Sequence, residues 1–543
     1  MDTGVRPYKS PGSDRGRPPG FPAFVCVKLV DPMKSLRFLL GVVLMVAFPS
    51  FASVRAPAVA GAFYPGTADS LRTTVTDLLE EAKAPEGTPA LAVVAPHAGY
   101  VYSGAMAARA FRQLEGSEAT RIILIGPSHR ASFSGASLPS KTVTAFKTPL
   151  GDVELHRKTV DSLRGLPVFD GPSSAHDGEH CLEVELPFLQ IVLPKARIVP
   201  ILIGHHTNPA EISKVAEALG KLLGPETVVV VSTDFSHHGE AYRWAPFPQG
   251  PNLGDQLLDL ARATADLAAK GQADGFRHQV EVSGDTVCGS KPVSVLLEMI
   301  DHAFDGTGEI LGVTTSGHVM GDFKQSVSYV SIAFTGRWSA WQQSEAPSDL
   351  PTLEPEQQIA VVGLARAVLE TRLGHGPELA RWFSVHGDDP VLNAPAGAFV
   401  TLNHPEIKAG RAGRLRACMG VIEAKQSVVD AVVHAAVSAS RDPRFPTLEQ
   451  NELEDLSVEV SLLSPSRKVP GPEAIRVGIH GVVLSKNGRG AVFLPQVAPE
   501  QGWDRDTMLD HLARKAGLAT DAWRQGATFE VFTAQVFGEE HAE

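Results

Sequence analysis

Residues 91–104 read Leu91-Ala92-Val93-Val94-Ala95-Pro96-His97-Ala98-Gly99-Tyr100-Val101-Tyr102-Ser103-Gly104. An unbroken aliphatic run predicts a strand buried on both faces, as in a parallel sheet. Pro96 stops the strand, His97 and Gly99 make a loop, and the chain then becomes helix-compatible. Open α/β sheets gather their sites beyond the carboxyl ends of their strands, and His97 falls in that place.

The same arrangement repeats downstream. Residues 121–125, 197–203 and 227–231 read as buried strands, and 328–334 as the closing strand. Two of these runs lead into polar loops, Gly126-Pro127-Ser128-His129 and Ser232-Thr233-Asp234-Phe235-Ser236-His237-His238-Gly239. Asn208-Pro209-Ala210-Glu211 has the form of a capped helix start, with Asn as cap, Pro in the first turn and Glu three residues on. Strands alternating with helices predict an α/β fold, a mixed sheet with flanking helices, over residues 55–336. Residues 337–354 have a linker composition. A smaller α+β unit is expected over 355–540, with helices at 357–373 and 428–440 and a strand at 457–462. A hairpin is expected around Asn487-Gly488, and a last strand over 529–537.

The chain of 543 residues is too long for one ordinary domain, and 43% apolar with 20% charged residues is a folded-protein composition. A net charge of −12 with no basic run argues against nucleic acid as a partner. The four cysteines, Cys26, Cys181, Cys288 and Cys418, form no C-x-x-C pair, so neither a disulfide scaffold nor a zinc ribbon is indicated. The chain has no Gly-x-Ser-x-Gly elbow and no P-loop, which removes support for serine hydrolysis and nucleotide hydrolysis.

Residues 1–32 are rich in Pro, Gly and Arg and read as disordered, or as an extension before a true start at Met33. Residues 33–52 combine Lys34 and Arg37, an apolar run over 38–48, and small residues Ser50 and Ala52. That is the pattern of a secretory signal peptide cleaved after Ala52. The run is short of the roughly 20 apolar residues of a membrane span. Export to the periplasm with no stable membrane span is therefore expected; a membrane-anchored or cytoplasmic protein is the alternative.

Four histidine-bearing loops, at His97, His129, His180 and His237-His238, and the soft sulfur of Cys288 offer donors. Two imidazoles with one anionic ligand leave coordination positions open as non-haem iron(II) requires, and a thiolate as the third ligand also suits copper or zinc. Each histidine alone reads equally as a hydrogen-bonded core residue, and the cysteine as a small hydrophobe. His180 is the candidate general base, because an imidazole near neutrality can take a proton from a hydroxyl or water. Its alternative is a structural cap. Asp234 reads as an acceptor orienting a ligand imidazole, with His237 beside it. Cys181 reads as a packed side chain, and His205-His206 as surface.

Seven words occur in order over about residues 57–336: Val59 to Pro65, Ala95 to Gly104, Gly126 to His129, Thr148 to Gly151, Glu179 to Phe188, Ser232 to His237, and Cys288-Gly289. Together they closely resemble the Memo family. The resemblance implies the fold of class III extradiol dioxygenases, with His97, His129 and Cys288 binding iron(II), or copper in some settings. It also implies that Asp177-x-x-His180 matches the dioxygenase general base and its surroundings, so Asp177 joins His180 as a catalytic candidate. Cys288 stands where the related dioxygenases carry a carboxylate, and an oxidisable thiolate argues against ordinary catechol cleavage.

In the second unit, Gly397 to Leu402, Leu415-Arg416-Ala417-Cys418-Met419-Gly420, Asp442 to Phe445, Val458 to Pro465, Leu494 to Val497 and Gly502-Trp503-Asp504 resemble the AMMECR family. Ala417 replaces that family's usual glycine, and no catalytic residue is assigned there. The pairing resembles the AmmeMemoRadiSam type, which implies a radical S-adenosylmethionine protein as partner. Two functions are expected from this: an iron-dependent oxidoreductase acting on a small aromatic or redox-active molecule, or a non-catalytic protein that sequesters metal or docks a peptide.

Overall fold

The computed structural model describes residues 52–85, 87–342, 349–404 and 415–539. The signal-peptide reading and Cys26 lie outside these, except for Ala52. No helix among the described residues is long and apolar enough to cross a membrane.

The four aliphatic runs become the parallel centre of an eight-stranded sheet. In spatial order they are Ala92–Ala95, Thr227–Ser232, Arg121–Pro127 and Arg197–Ile203. Their residues are buried almost throughout, which is why the sequence shows continuous rather than alternating apolar character. Ser326–Trp338 adds antiparallel beside Ala92–Ala95, and Phe304–Thr315 lies outside it. Ala136–Ser137 closes the opposite edge, and His237–His238 pairs with Ser326–Trp338. The capped helix start is realised: the Glu211 amide donates to Asn208 Oδ1 and the Asn208 amide to the Glu211 carboxylate, each at 3.0 Å.

In the first unit, two features differ from the sequence reading. Phe304–Thr315 was not expected as a strand, because Gly306, Gly308 and Gly312 interrupt its apolar pattern. Gly308 is there for proximity: a Cβ at that position would lie 2.1 Å from the Ala269 carbonyl oxygen. The closing strand also runs on through Arg337 and Trp338, where a linker was expected, because the Trp338 ring packs on Phe304 with centroids 5.4 Å apart.

The second unit has two four-stranded sheets. One joins Leu415–Ser427, Pro395–Asn403, Ser457–Leu463 and Ala534–Gly538; the other joins Arg467–Val469, Thr528–Phe532, Gly481–Lys486 and Arg489–Phe493. The single strand expected over 529–537 is split at Thr533, where paired hydrogen bonds with Ser464 pass the chain from one sheet to the other. Asn487 and Gly488 have φ of 51° and 73°, the left-handed pair that a two-residue hairpin of this twist requires.

A continuous apolar core runs through both units, and the helix Arg505–Lys515 with the second of the two sheets packs a separate cluster. The seam between the units is built on the helix Ala273–Ser283. Gln279 donates to the Gly376 carbonyl at 2.9 Å and accepts from the Ala380 amide at 2.8 Å. His375 Nδ1 bonds the Ser283 carbonyl at 2.7 Å, and the Asp430 carboxylate meets His278 Nε2 at 3.0 Å and Arg277 at 3.2 Å.

Candidate metal centre

The carboxyl ends of the parallel strands deliver the predicted residues to one place. His97 follows Ala92–Ala95, His129 follows Arg121–Pro127, and Asp234 follows Thr227–Ser232. Cys288 comes from the loop between the helices Ala273–Ser283 and Ser290–Ala303. One ligand atom from each of His97, His129 and Cys288 lies within 4.8 Å of the other two. His97 Nε2 is 3.3 Å from Cys288 Sγ.

Hydrogen bonds behind the rings set which nitrogen faces inward. The Ser232 hydroxyl donates its one proton to the Cys181 carbonyl at 2.8 Å, so across its 2.8 Å contact with His97 Nδ1 it must accept. His97 therefore carries its proton on Nδ1, and its Nε2 lone pair points at Cys288. His97 is buried, and burial, with His129 and His180 nearby, pushes its pKa well down, so the ring is neutral and able to ligate.

Glu179 does the same for two rings at once. His129 Nδ1 and His180 Nδ1 lie 3.0 and 3.1 Å from Glu179 Oε1, and the amides of His129 and His180 donate to the same carboxylate at 2.7 and 2.9 Å. Burial alone would raise this carboxyl, but the hydrogen bonds from His129 and His180 outweigh it and hold Glu179 well below the usual carboxylate range. An ionised acceptor holds a proton on Nδ1 of each ring and so turns each Nε2 away from the carboxylate. The rings of His129 and His180 are 4.7 Å apart, and His97 is 5.4 Å from His180.

The remaining candidates divide. Asp234 accepts the backbone N–H of His97 at 2.9 Å rather than its ring proton, and its amide donates to Cys288 Sγ at 3.3 Å. It thus fixes the two ligand-bearing loops to each other, while Ser232 orients the ring. His237 lines the cleft, with its amide on Thr286 Oγ1 at 2.8 Å and Nδ1 3.1 Å from the Thr286 carbonyl. Asp177 is exposed and is not among the described residues lining the cleft; the acid that meets the imidazoles is Glu179. Gly178, at φ 69°, turns the chain between them. Cys181 is fully buried, its Sγ donating to the Pro127 carbonyl at 3.1 Å.

Burial raises the Cys288 thiol above its ordinary range, so as a thiolate it needs a cation to stabilise it. Two oriented imidazoles and one such sulfur are a fitting donor set for a transition metal. His97 and His129 line a cleft of about 760 Å³ whose walls include Phe63, Tyr102, Tyr242 and Tyr329. In the second unit, Arg416 is buried and held in a two-point pair by Glu452 at 2.9 and 3.0 Å.

Comparison with known proteins identifies both domains. The family model described as Memo-like protein matches residues 55–333, and the AMMECR1 model matches residues 362–537. A MEMO1 family protein of Methanopyrus kandleri is 32% identical over 295 residues, covering 52% of this chain and 98% of that protein. The Caenorhabditis elegans protein memo-1 homolog is 29% identical over 282 residues, covering 50% and 80%. An uncharacterized protein of Pyrococcus horikoshii with a crystal structure is 32% identical with a TM-score of 0.31, covering 35% of this chain and 94% of that one. With its strand-end histidines, its cysteine and its domain order in place, the chain belongs to the Memo family and carries an AMMECR1 domain behind its Memo domain.

Proposed function

We propose that the first domain is a mononuclear non-haem metal centre of an oxidoreductase, with His97, His129 and Cys288 as ligands and iron(II) as the metal. The observation that carries this is the convergence of three donor atoms within 4.8 Å, with the two oriented imidazoles lining an open cleft. When bound, iron(II) supplies redox chemistry and open coordination positions facing that cleft.

The protein's own residues do the rest. His180, with its Nδ1 proton held by Glu179, presents Nε2 to the cleft and takes a proton from a substrate hydroxyl. Glu179 then stabilises the imidazolium, as a buried carboxylate does behind a catalytic histidine. Phe63 packs edge-on against His180 at 5.2 Å and limits water on that side.

The test is the metal content of protein purified without added metal, beside Cys288→Ser, followed by O₂ uptake with a panel of catechols and quinols. Stoichiometric iron that falls in the variant, together with turnover, supports the reading. Copper in its place changes the metal; absence of any transition metal removes the centre. Metal without oxidation leaves the sequestering role. An exported location and a radical S-adenosylmethionine partner belong to the same proposal, and amino-terminal sequencing of protein from fractionated cells tests the former.

A further inference from the structure

The mouth of the cleft has an unusual composition for a surface. Val101, Tyr102, Tyr242 and Met320 are all exposed there, Val101 by 77% and Met320 by 62%, and all four line the cleft. Exposed apolar side chains are ordinary singly, but four around one opening form a patch suited to a flat apolar body. Deeper in, Phe63 and Tyr329 continue the aromatic wall towards the histidines.

The charges are one-sided. The cleft lining contains Asp234 on the floor and Asp322 at the exposed rim, and among the described lining residues there is no Lys or Arg. Asp322 Oδ1 is anchored by the Lys324 amide at 2.9 Å, which fixes the carboxylate in place. An anionic tail held at the rim would meet a carboxylate and aromatic faces, with no lining Lys or Arg to receive it. A cationic tail would meet that carboxylate and the electron-rich faces of Tyr102 and Tyr242.

From this we infer that the cleft selects an aromatic compound bearing a protonated amine, an arylalkylamine, and discriminates against aryl carboxylates of the same size. The inference rests on the metal-centre reading for the end of the molecule that enters, and on Asp322 and the tyrosine rim for the end that stays outside. Asp322 is thus a specificity-determining residue rather than part of the proposed ligand set.

The experiment compares dopamine with dihydroxyphenylacetate, which share a ring and differ in the charge of the tail. Binding to the full chain is measured by calorimetry, with iron loaded and with metal removed. The amine is expected to bind roughly tenfold more tightly, from one ion pair and cation–π contact at a partly desolvated rim. Asp322→Asn should reduce that ratio several-fold while leaving metal content unchanged, and Asp322→Lys should reverse it. Equal binding, tighter binding of the acid, or no binding of either probe would overturn the inference. A ratio that does not respond to Asp322→Lys would overturn it as well. Metal content of the same preparations reports separately on the centre: an amine preference that persists in protein unable to hold iron sinks the metal reading alone.

Discussion

Glu179 grips His129 at two points, its Oε2 accepting the backbone N–H at 2.7 Å and its Oε1 facing ring Nδ1 at 3.0 Å. The same Oε1 faces Nδ1 of His180. An amide in that position offers one accepting oxygen where the carboxylate offers two. Glu179→Gln is therefore expected to lower metal affinity by roughly ten- to a hundredfold without unfolding the protein, the usual cost of losing a group that orients ligands. Competition with a chromophoric chelator measures it, and unchanged affinity would show that the rings do not depend on this carboxylate.

His97→Ala and Cys288→Ser should each lose most bound metal while remaining folded, because two donors leave the geometry unfixed. His180→Ala should retain metal and lose proton-coupled oxidation. Elemental analysis of the three purified variants separates these roles. Metal loss in His180→Ala equal to that in His97→Ala would make His180 a ligand.

Gly289 follows the proposed sulfur ligand, and its amide donates to Thr233 Oγ1 at 3.0 Å. A Cβ there would lie 2.3 Å from both Thr233 Cβ and Oγ1. Gly289→Ala must displace the Cys288 loop from the Thr233–Asp234 segment, and a destabilisation of about 1–3 kcal/mol with weakened metal binding is expected. Denaturant titration and chelator competition on the same preparation check both effects. Unaltered values in both would mean the loop gives way at no cost.

Burial raises the Asp285 carboxyl from 3.8 to about 6, and only one of its oxygens has a partner, Ser236 Oγ at 3.0 Å. A carboxyl raised on folding favours the folded state below its unfolded pKa. That contribution is lost as pH climbs through about 6. The loss amounts to on the order of 2–3 kcal/mol. Asp285→Asn should flatten this part of the stability profile, being more stable than the parent at slightly alkaline pH. Unfolding free energies across the acid-to-neutral range would reveal a persisting slope if another group is responsible.

Asp430 is the acid that His278 and Arg277 share across the seam, and His278 is 1% exposed. Its removal in Asp430→Ala leaves a buried imidazole without its acceptor, at a cost of about 1–3 kcal/mol. Asp430 is held below the usual carboxylate range; burial opposes this, but hydrogen bonding and charge from His278 and Arg277 prevail. A depressed carboxyl stabilises above its unfolded pKa, so the deficit of the variant should shrink as pH falls into the acid range. Chemical denaturation at neutral and acid pH measures both.

The strands and the placement of two histidines were legible because buried parallel strands have an unmistakable pattern and His97 and His129 directly follow two of them. Cys288, between two helices, joined the ligand set only through the family resemblance. Glu179 was not legible. Asp177, Glu179 and Glu183 lie within one short stretch, and which carboxylate turns inward depends on the backbone at Gly178, not on residue type. Glu183 spends its charge elsewhere, pairing with Arg55 at 2.9 Å and accepting from Tyr64 at 2.7 Å. Ser232 was hidden for a similar reason: its role depends on a carbonyl, that of Cys181, brought near only by folding. The split at Thr533 escaped because both halves have strand composition.

The seam on Ala273–Ser283 has a consequence for inheritance. That helix leads, within a few residues, into the loop that carries Cys288, and its Gln279 and Ser283 are hydrogen-bonded by the following domain. A lineage that shed the second domain would expose a polar helix face tailored to an absent neighbour, next to a residue of the proposed centre. A grafted AMMECR1 domain would have to restore the side chains of His375 and Asp430 and the backbone path at Gly376 and Ala380 to satisfy that face. The two modules can be named separately, but in this chain a change on one side of the seam is felt on the helix that leads to Cys288.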